Sequence, residues 1–378
     1  HGTYYWTTLD RAVETILATG ATPLMSLEIK PRPLYPEIDQ DKTDPTSYEE
    51  WEQLVERLVR HYRAEKQYDI HYWEVFNEPD IGEDGGSPGR FTPESYARYY
   101  EHTVRAIRRA DPAAKVGGPA LANSRSPLLK GLLDHCSRNN VPLDFVSWHI
   151  YHSDPAAIQA TITHVNNLLK DYPSLRCETI LDEWNMSLSH PRTEPAYQPA
   201  FLIETIARMR ESGLDYAAYY HIRDFHVEEQ QFAPFMSRKG LLNMLSWWNL
   251  TPQYDGLFDF QGVMRPAYFA FKMLSRLSGN RVEARSDRPE VKVLAAWDND
   301  QSTLNLLVWN FAVTSPAPVR VTWTPPAAEG EKWTYRRLLL DADTASNDEN
   351  HRMRPAEGIE AFDLAPYGVT LISAHKRE

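Results

Sequence analysis

Between residue 1 and about residue 280, short apolar runs alternate with segments of helical period, and this alternation restricts the fold more than any other feature. Strand-like runs are read at 21–29, 70–76, 115–118, 143–151, 179–182 and 216–222. Between them lie helical patterns. Leu9, Val13, Ile16 and Leu17 share one face, and Gly20 supplies a natural stop. Ser47 and Glu50 have capping-box spacing, and Thr92-Pro93 reads as an N-cap followed by the first helical residue. Strands alternating with helices predict βαβ units and a parallel sheet. Six strands can be counted where a closed barrel needs about eight. The shortfall falls at the N-terminus, so the expected fold class is α/β, a (β/α)8 barrel lacking its first two strands in this chain.

From about Arg281 the helical patterns disappear. Runs at 291–297, 304–310, 319–323, 333–340 and 369–373 read as short strands separated by turn and charge clusters. These predict a C-terminal antiparallel β-sandwich. The expected domains are therefore 1–280, a barrel, and 281–378, a sandwich.

The bulk properties exclude several classes of function. A net charge of −12 repels phosphate backbones, so no nucleic-acid partner is expected. No apolar run approaches the length that spans a bilayer, so no membrane partner is expected either. Cys136 and Cys177 form no ladder of spacings that would indicate a disulfide framework or a zinc site. The chain opens at His1 and runs directly into a helix-like segment. A native start and any targeting segment are therefore expected to lie outside it, and compartment and oligomeric state stay open. Eleven Trp and 20 Tyr suit the flat C–H faces of sugars, but they suit a large core equally well.

The chemistry is carried by two strand ends. One strand runs into Asn77-Glu78-Pro79, and another runs into Glu183-Trp184-Asn185. Glutamates at the C-terminal ends of parallel strands face the mouth of a barrel. Glycosidic cleavage needs one carboxylic acid to protonate the leaving oxygen and a second to attack or to activate water, with no metal and no cofactor. A single strand-end Glu is more often a helix cap or an ion-pair partner. Two of them, two βα units apart, are much harder to explain structurally. Asp182 is discounted as a rival to Glu183 because strand alternation turns it to the other face. Ser147, His149 and Tyr151 share one face and could hold the nucleophile and sugar hydroxyls, against the bland reading of a satisfied core histidine. His221, Asp224 and His226 match no established metal-ligand spacing. Trp247 and Trp248 lie in an extra segment after the last parallel strand, where a barrel projects its loops over the catalytic face. There Trp247 is a candidate for substrate contact, while packing is favoured for Trp248.

These residues resemble glycoside hydrolase family 39, known for β-xylosidases and α-L-iduronidases. The resemblance rests on the aromatic-rich run 73–79, on Glu183-Trp184-Asn185, on Ser147-x-His149-x-Tyr151, on the run 115–119, and on Arg265-Pro266 with Tyr268. It implies that the six strands are the third to eighth of a barrel, with Glu78 as acid/base, Glu183 as nucleophile, and Asn77 on the sugar 2-hydroxyl. It also implies a retaining double displacement on a glycoside or oligosaccharide. The chain departs from the family's pattern at Glu28-Ile29-Lys30-Pro31, at Tyr219-Tyr220-His221, and in the segment holding Trp247 and Trp248. Glu28, Lys30, Tyr220 and Trp184 join Asn77, His149, Tyr151 and Trp247 as expected substrate-binding residues. A β-xylosidase-like exo enzyme is the leading expectation. Arabinosidase, galactosidase, glucosidase and iduronidase types stand as alternatives, as does a non-catalytic carbohydrate-binding relative. A nucleotide-binding α/β enzyme ranks last, since neither G-x-G-x-x-G nor a P-loop is present.

Overall fold

The computed structural model describes residues 4–28, 30–300, 302–312, 314–322, 333–343, 352–356 and 359–376. His1, Ile29 and Trp323, which the sequence analysis includes, lie outside the described residues. The first part of the chain alternates as the periodicities predict. Its elements are α1 (Thr7–Ala18), β1 (Leu24–Leu27), α2 (Tyr48–Arg60), β2 (Tyr72–Val75), α3 (Pro93–Ala110) and β3 (Lys115–Leu121). They continue with α4 (Pro127–Asn139), β4 (Phe145–Tyr151), α5 (Pro155–Leu169), β5 (Glu178–Asn185), α6 (Tyr197–Glu211) and β6 (Tyr216–Tyr219).

Local chemistry sets the helix starts. The Ser47 hydroxyl accepts from the Glu50 N–H at 3.2 Å. Thr92 accepts from the Ser95 N–H at 3.2 Å while its own N–H donates to Ser95 Oγ at 3.0 Å. Caps of this kind contribute about 1 kcal/mol each. Behind them, Trp51, Val55 and Val59 of α2 and Tyr96, Tyr100, Val104 and Ile107 of α3 are buried in the main core with Trp73, Val75 and Trp148 of the sheet.

The six strands pair in chain order, all parallel. Among the described residues the sheet does not close, so the expected barrel is here an open half-barrel with β1 and β6 as its edges. Both edges are thinly covered. Tyr216 on β6 is 53% exposed, and of the apolar face of α1 only Val13 is buried while Leu9 and Ile16 reach solvent.

After β6 come α7 (Glu229–Phe232), α8 (Arg238–Leu245), a wide helical turn (Ser246–Leu250) and α9 (Pro266–Leu274). The remaining strands are β7 (Asn280–Val282), β8 (Val291–Asp298), β9 (Thr303–Asn310), β10 (Ala317–Thr322), β11 (Trp333–Leu340), β12 (Arg352–Ala356), β13 (Ile359–Leu364) and β14 (Val369–Lys376). Six of them form an antiparallel sheet, β12-β11-β14-β9-β8-β7, and β10 pairs with β13. β7, β12 and β13 were not expected. β7 is too short to show a period, and β12 is a charged edge strand containing Pro355, tolerated only because an edge needs fewer ladder bonds.

Alternation sends the two faces of the central strands to different cores. Leu307, Trp309, Val369 and Leu371 join the main core, whereas Val308 packs with Val291, Ala317 and Leu364 between the two antiparallel sheets. A buried carboxylate fastens the six-stranded sheet to α6. Glu204 accepts from Lys292 Nζ at 2.5 Å on β8, from Trp309 Nε1 at 2.8 Å on β9, and from Arg208 Nε at 2.6 Å. Burial would raise the Glu204 pKa, yet the bonds from Lys292 and Trp309 outweigh it and hold the carboxyl below its ordinary range. Glu204→Ala leaves the buried Trp309 indole donor without its acceptor, and should cost about 1–3 kcal/mol in urea unfolding. Because the folded pKa is depressed, that contribution is present above the unfolded carboxyl pKa and disappears as pH falls through the folded one. A loss independent of pH would contradict this account.

Candidate active site

The site sits at the C-terminal ends of β2, β4 and β5, and a bulge in β5 creates it. Ser147 pairs with Ile180 and His149 with Glu183, so Trp148 alone on β4 faces both Leu181 and Asp182 on β5. The register of β5 against β6 shifts over the same residues. The extra residue breaks strict alternation. This corrects the sequence argument against Asp182. Instead of turning away, Asp182 Oδ2 lies 3.2 Å from His149 Nε2, while Glu183 Oε2 lies 3.7 Å from His149 Nδ1.

His149 is buried, and its Nδ1 is also 3.0 Å from Glu78 Oε1. One imidazole therefore touches three carboxylates, one just after β2 and two on β5. Burial opposes charge on His149, but Asp182 and Glu183 outweigh it and hold the ring well above its usual pKa. Glu183 also accepts a hydrogen bond from the Tyr151 hydroxyl. Burial pushes the Glu183 carboxyl up and the Glu78 charge adds to that, while His149 and Tyr151 pull it down; the net is upward. Deeper in the sheet, burial and the neighbouring Asp182 charge push Glu74 well above the carboxylate range. Buried carboxyls this close cannot all ionise.

Glu78 is presented by a constrained turn. Phe76 and Glu78 have φ of 73° and 43°, a left-handed conformation that costs a non-glycine residue about 1–3 kcal/mol. The surroundings hold it there. Phe76 packs edge-on against Phe91 and Tyr99, and the Glu78 N–H donates to the Ala120 carbonyl at 2.9 Å. Gly85 closes from the other side, where any Cβ would collide with Glu78 Oε2.

In front of these carboxylates lies a cavity of about 340 Å³, within the range of small-ligand sites. Glu78, Tyr151 and Glu183 line it together with Asp84, Gly85, Met244 and both Trp247 and Trp248. Trp248 stacks on Phe225 at 4.8 Å and leans on Tyr220 at 5.7 Å, and Tyr220 meets Tyr151 edge-on at 6.0 Å. Trp248 is thus both packed and part of the wall. Asn185 donates to the Tyr220 carbonyl at 2.5 Å and to the Asp255 carbonyl at 3.1 Å, which ties the end of β5 to this aromatic group.

The other expected contact residues have different surroundings. Glu28 is close enough to Glu78, Glu183 and His149 to feel their charges. Asn77 is half-buried, with its carbonyl accepting from Ser87 at 2.5 Å. Lys30 is buried, and its ammonium donates to the Asp39 carbonyl at 3.0 Å. Trp184 faces away from the cavity, packed against Tyr219 and Phe201. His221, Asp224 and Asp255 bring ligand-type atoms within 4.8 Å of one another. Both Asp224 oxygens are held by Arg265, at 2.8 and 2.5 Å, which makes that group a poor cation ligand. Sequence reasoning missed Glu74, Asp84, Gly85 and Met244. An acid inside the apolar run 71–76 was the available signal for Glu74.

Burial raises the Glu28 carboxyl from its ordinary 4.5 to about 7, with the Glu78 and Glu183 charges adding and Ser87 and His149 opposing. Between those two values the folded chain keeps a proton that the unfolded chain releases, so stability falls as pH rises through the window. Glu28→Gln should remove that slope. The melting-temperature difference between variant and wild type should grow from pH 5 to pH 8, and a constant difference would contradict the assignment.

Comparison with known proteins fits this geometry. Residues 1–319 match the family described as Glycosyl hydrolases family 39. The chain is 30% identical over 303 residues to a β-xylosidase of Caldicellulosiruptor saccharolyticus, covering 73% of this chain and 57% of that protein. It is 25% identical over 305 residues to a β-xylosidase of Geobacillus stearothermophilus, covering 72% and 56% respectively. The chain thus spans a little over half the length of these curated relatives. In fold it resembles a family 39 enzyme from Xanthomonas axonopodis pv. citri, with a TM-score of 0.75 at 19% identity, covering 99% of this chain and 83% of that one. The parallel sheet is TIM-barrel-like, and no helix among the described residues is long and apolar enough to cross a membrane. On the match over residues 1–319, the chain belongs to glycosyl hydrolase family 39.

Proposed function

We propose that this chain is a glycosidase that works by retaining double displacement, with Glu183 as nucleophile and Glu78 as acid/base. The observation that carries the reading is the shared contact to His149. Glu78 Oε1 and Glu183 Oε2 lie 3.0 and 3.7 Å from the same nitrogen. These oxygens can be no farther apart than the sum of those distances. That limit is compatible with the ~5–5.5 Å separation of retaining carboxyl pairs.

In the first step Glu183 attacks the anomeric carbon while the Glu78 carboxyl gives its proton to the departing oxygen. Tyr151 holds one oxygen of Glu183, so Oε2 is the attacking atom. In the second step Glu78 takes a proton from water, whose oxygen displaces Glu183 and releases the sugar with its original configuration. His149 holds the two carboxylates in register throughout, and Asn77 is assigned to the sugar 2-hydroxyl. Met244, Trp247 and Trp248 form a wall of the cavity, and removal of single terminal sugars is the proposed mode of action. Two relatives are β-xylosidases, so a terminal β-xyloside is the proposed substrate.

We read the six parallel strands as the third to eighth of a barrel, supported by the exposed edges at β1 and β6, with residues 1–280 as catalytic unit and 281–378 as sandwich. A screen of aryl β-xyloside against arabinoside, galactoside, glucoside and iduronide, with the first-formed anomer followed by NMR, tests the reaction. Release of inverted sugar would overturn it. Replacing each carboxylate separates the two roles. Glu183→Ala should lose turnover and, with added azide, form the α-glycosyl azide by direct displacement. Glu78→Ala should form the β-azide from an activated aryl β-xyloside. Glu78→Gln should lose about 10²–10⁴-fold on poor leaving groups and far less on activated ones. Exchange of the two azide products would reverse the roles, and undiminished turnover in Glu183→Ala would end the proposal.

A further inference from the structure

A second buried carboxylate outside the catalytic group ties together the two segments that face each other across the cavity. Glu83 lies in the tight helical turn Gly82–Gly85 that follows Pro79, and it is only 3% exposed. Its side chain reaches across to the segment after β6. The Ser237 N–H donates to Oε1 at 2.6 Å and the Ser237 hydroxyl donates to Oε2 at 2.5 Å. Ser237 is the N-cap of α8, so the carboxylate also meets the positive end of that helix. Asn243, further along α8, donates back to the Glu83 and Asp84 carbonyls at 3.4 and 3.2 Å.

The fit is close as well as polar. A Cβ on Gly240 would come within 2.7 Å of the Glu83 carboxyl carbon, and one on Gly86 would run into the Met244 sulfur. Beyond this joint each partner extends into the cavity. From Glu83 the chain continues into Asp84 and Gly85, with Gly85 against Glu78 Oε2. From α8 it continues through Met244 to Trp247 and Trp248. The wall therefore stands beside the carboxyl that protonates the leaving oxygen.

We propose that Glu83 is a positioning residue that docks the Ser237–Leu250 segment onto the loop behind Glu78, and so builds the wall against which the leaving group of the substrate rests. This rests on the glycosidase reading for the meaning of the wall, though not for the docking. Met244 and Trp247 give the wall an apolar, flat-faced surface, and Asp84 and Asn243 give it polar atoms at one edge. That combination suits a second sugar ring as leaving group.

Three variants test it, each in the full chain. Glu83→Ala removes the acceptor, Gly240→Ala wedges the joint apart while leaving every polar group in place, and Glu83→Gln keeps a shape that can still pair with both Ser237 groups. KM for xylobiose should rise about tenfold in Glu83→Ala and Gly240→Ala with kcat within about threefold, the signature of lost binding without lost chemistry. Glu83→Gln should stay near wild type, and a small activated aryl xyloside should show a smaller KM change in all three. Hydrogen–deuterium exchange across 238–250 should quicken in the first two variants only. Faster exchange with an unchanged KM would overturn the wall, and unchanged exchange in Glu83→Ala would overturn the docking. If the wild type hydrolyses neither substrate, the glycosidase reading and the wall fall together, while exchange alone still decides the docking.

Discussion

The imidazole of His149 is the contact on which the rest of the site depends. It is buried at the end of β4 and meets Glu78 through one nitrogen and Asp182 through the other, with Glu183 close by. Carboxylates brought so near to one another repel, and burial removes the water that would screen them. A positively charged ring among them offsets both penalties. Burial chiefly, with the neighbouring carboxylate charges adding to it, pushes Glu74 and Glu28 upward, so both favour their protonated forms. The core beneath and the cavity above are thus linked through a single charge balance.

That balance requires backbone irregularities. The β5 bulge turns two consecutive acids toward the same histidine, and the left-handed residues Phe76 and Glu78 aim the third. Such conformations persist only where the surroundings over-determine them. Here the surroundings are the aromatic packing of Phe76, the bond from Glu78 to Ala120, and the close approach of Gly85. The parallel sheet, with α6 fastened to the antiparallel sheet through Glu204, supplies the frame for this arrangement.

The parts legible in the sequence were those governed by local periodicity and local capping. All six parallel strands fall where the apolar runs placed them, and Ser47 and Thr92 start their helices as their spacing implied. Glu78 and Glu183 were visible because each ends a strand. What depended on register was hidden. A bulge has no signature in one strand alone, so Asp182 was assigned to the wrong face. Side-chain direction was hidden too: Trp184 alternates outward to Tyr219, and Lys30 turns to the Asp39 carbonyl. The contact between the Gly82–Gly85 turn and α8 joins residues more than 150 positions apart, and no local pattern announces it.

The central claim is that Glu183 forms a covalent bond to the sugar. The most direct measurement is mass spectrometry after incubation with an activated 2-deoxy-2-fluoro-β-xyloside. The fluorine slows the second step more than the first, so the glycosyl-enzyme accumulates. The account predicts one sugar added per chain, carried by the peptide containing Glu183. A label on Asp182 or any other residue would contradict it, as would turnover of the parent xyloside by a protein that never acquires the label.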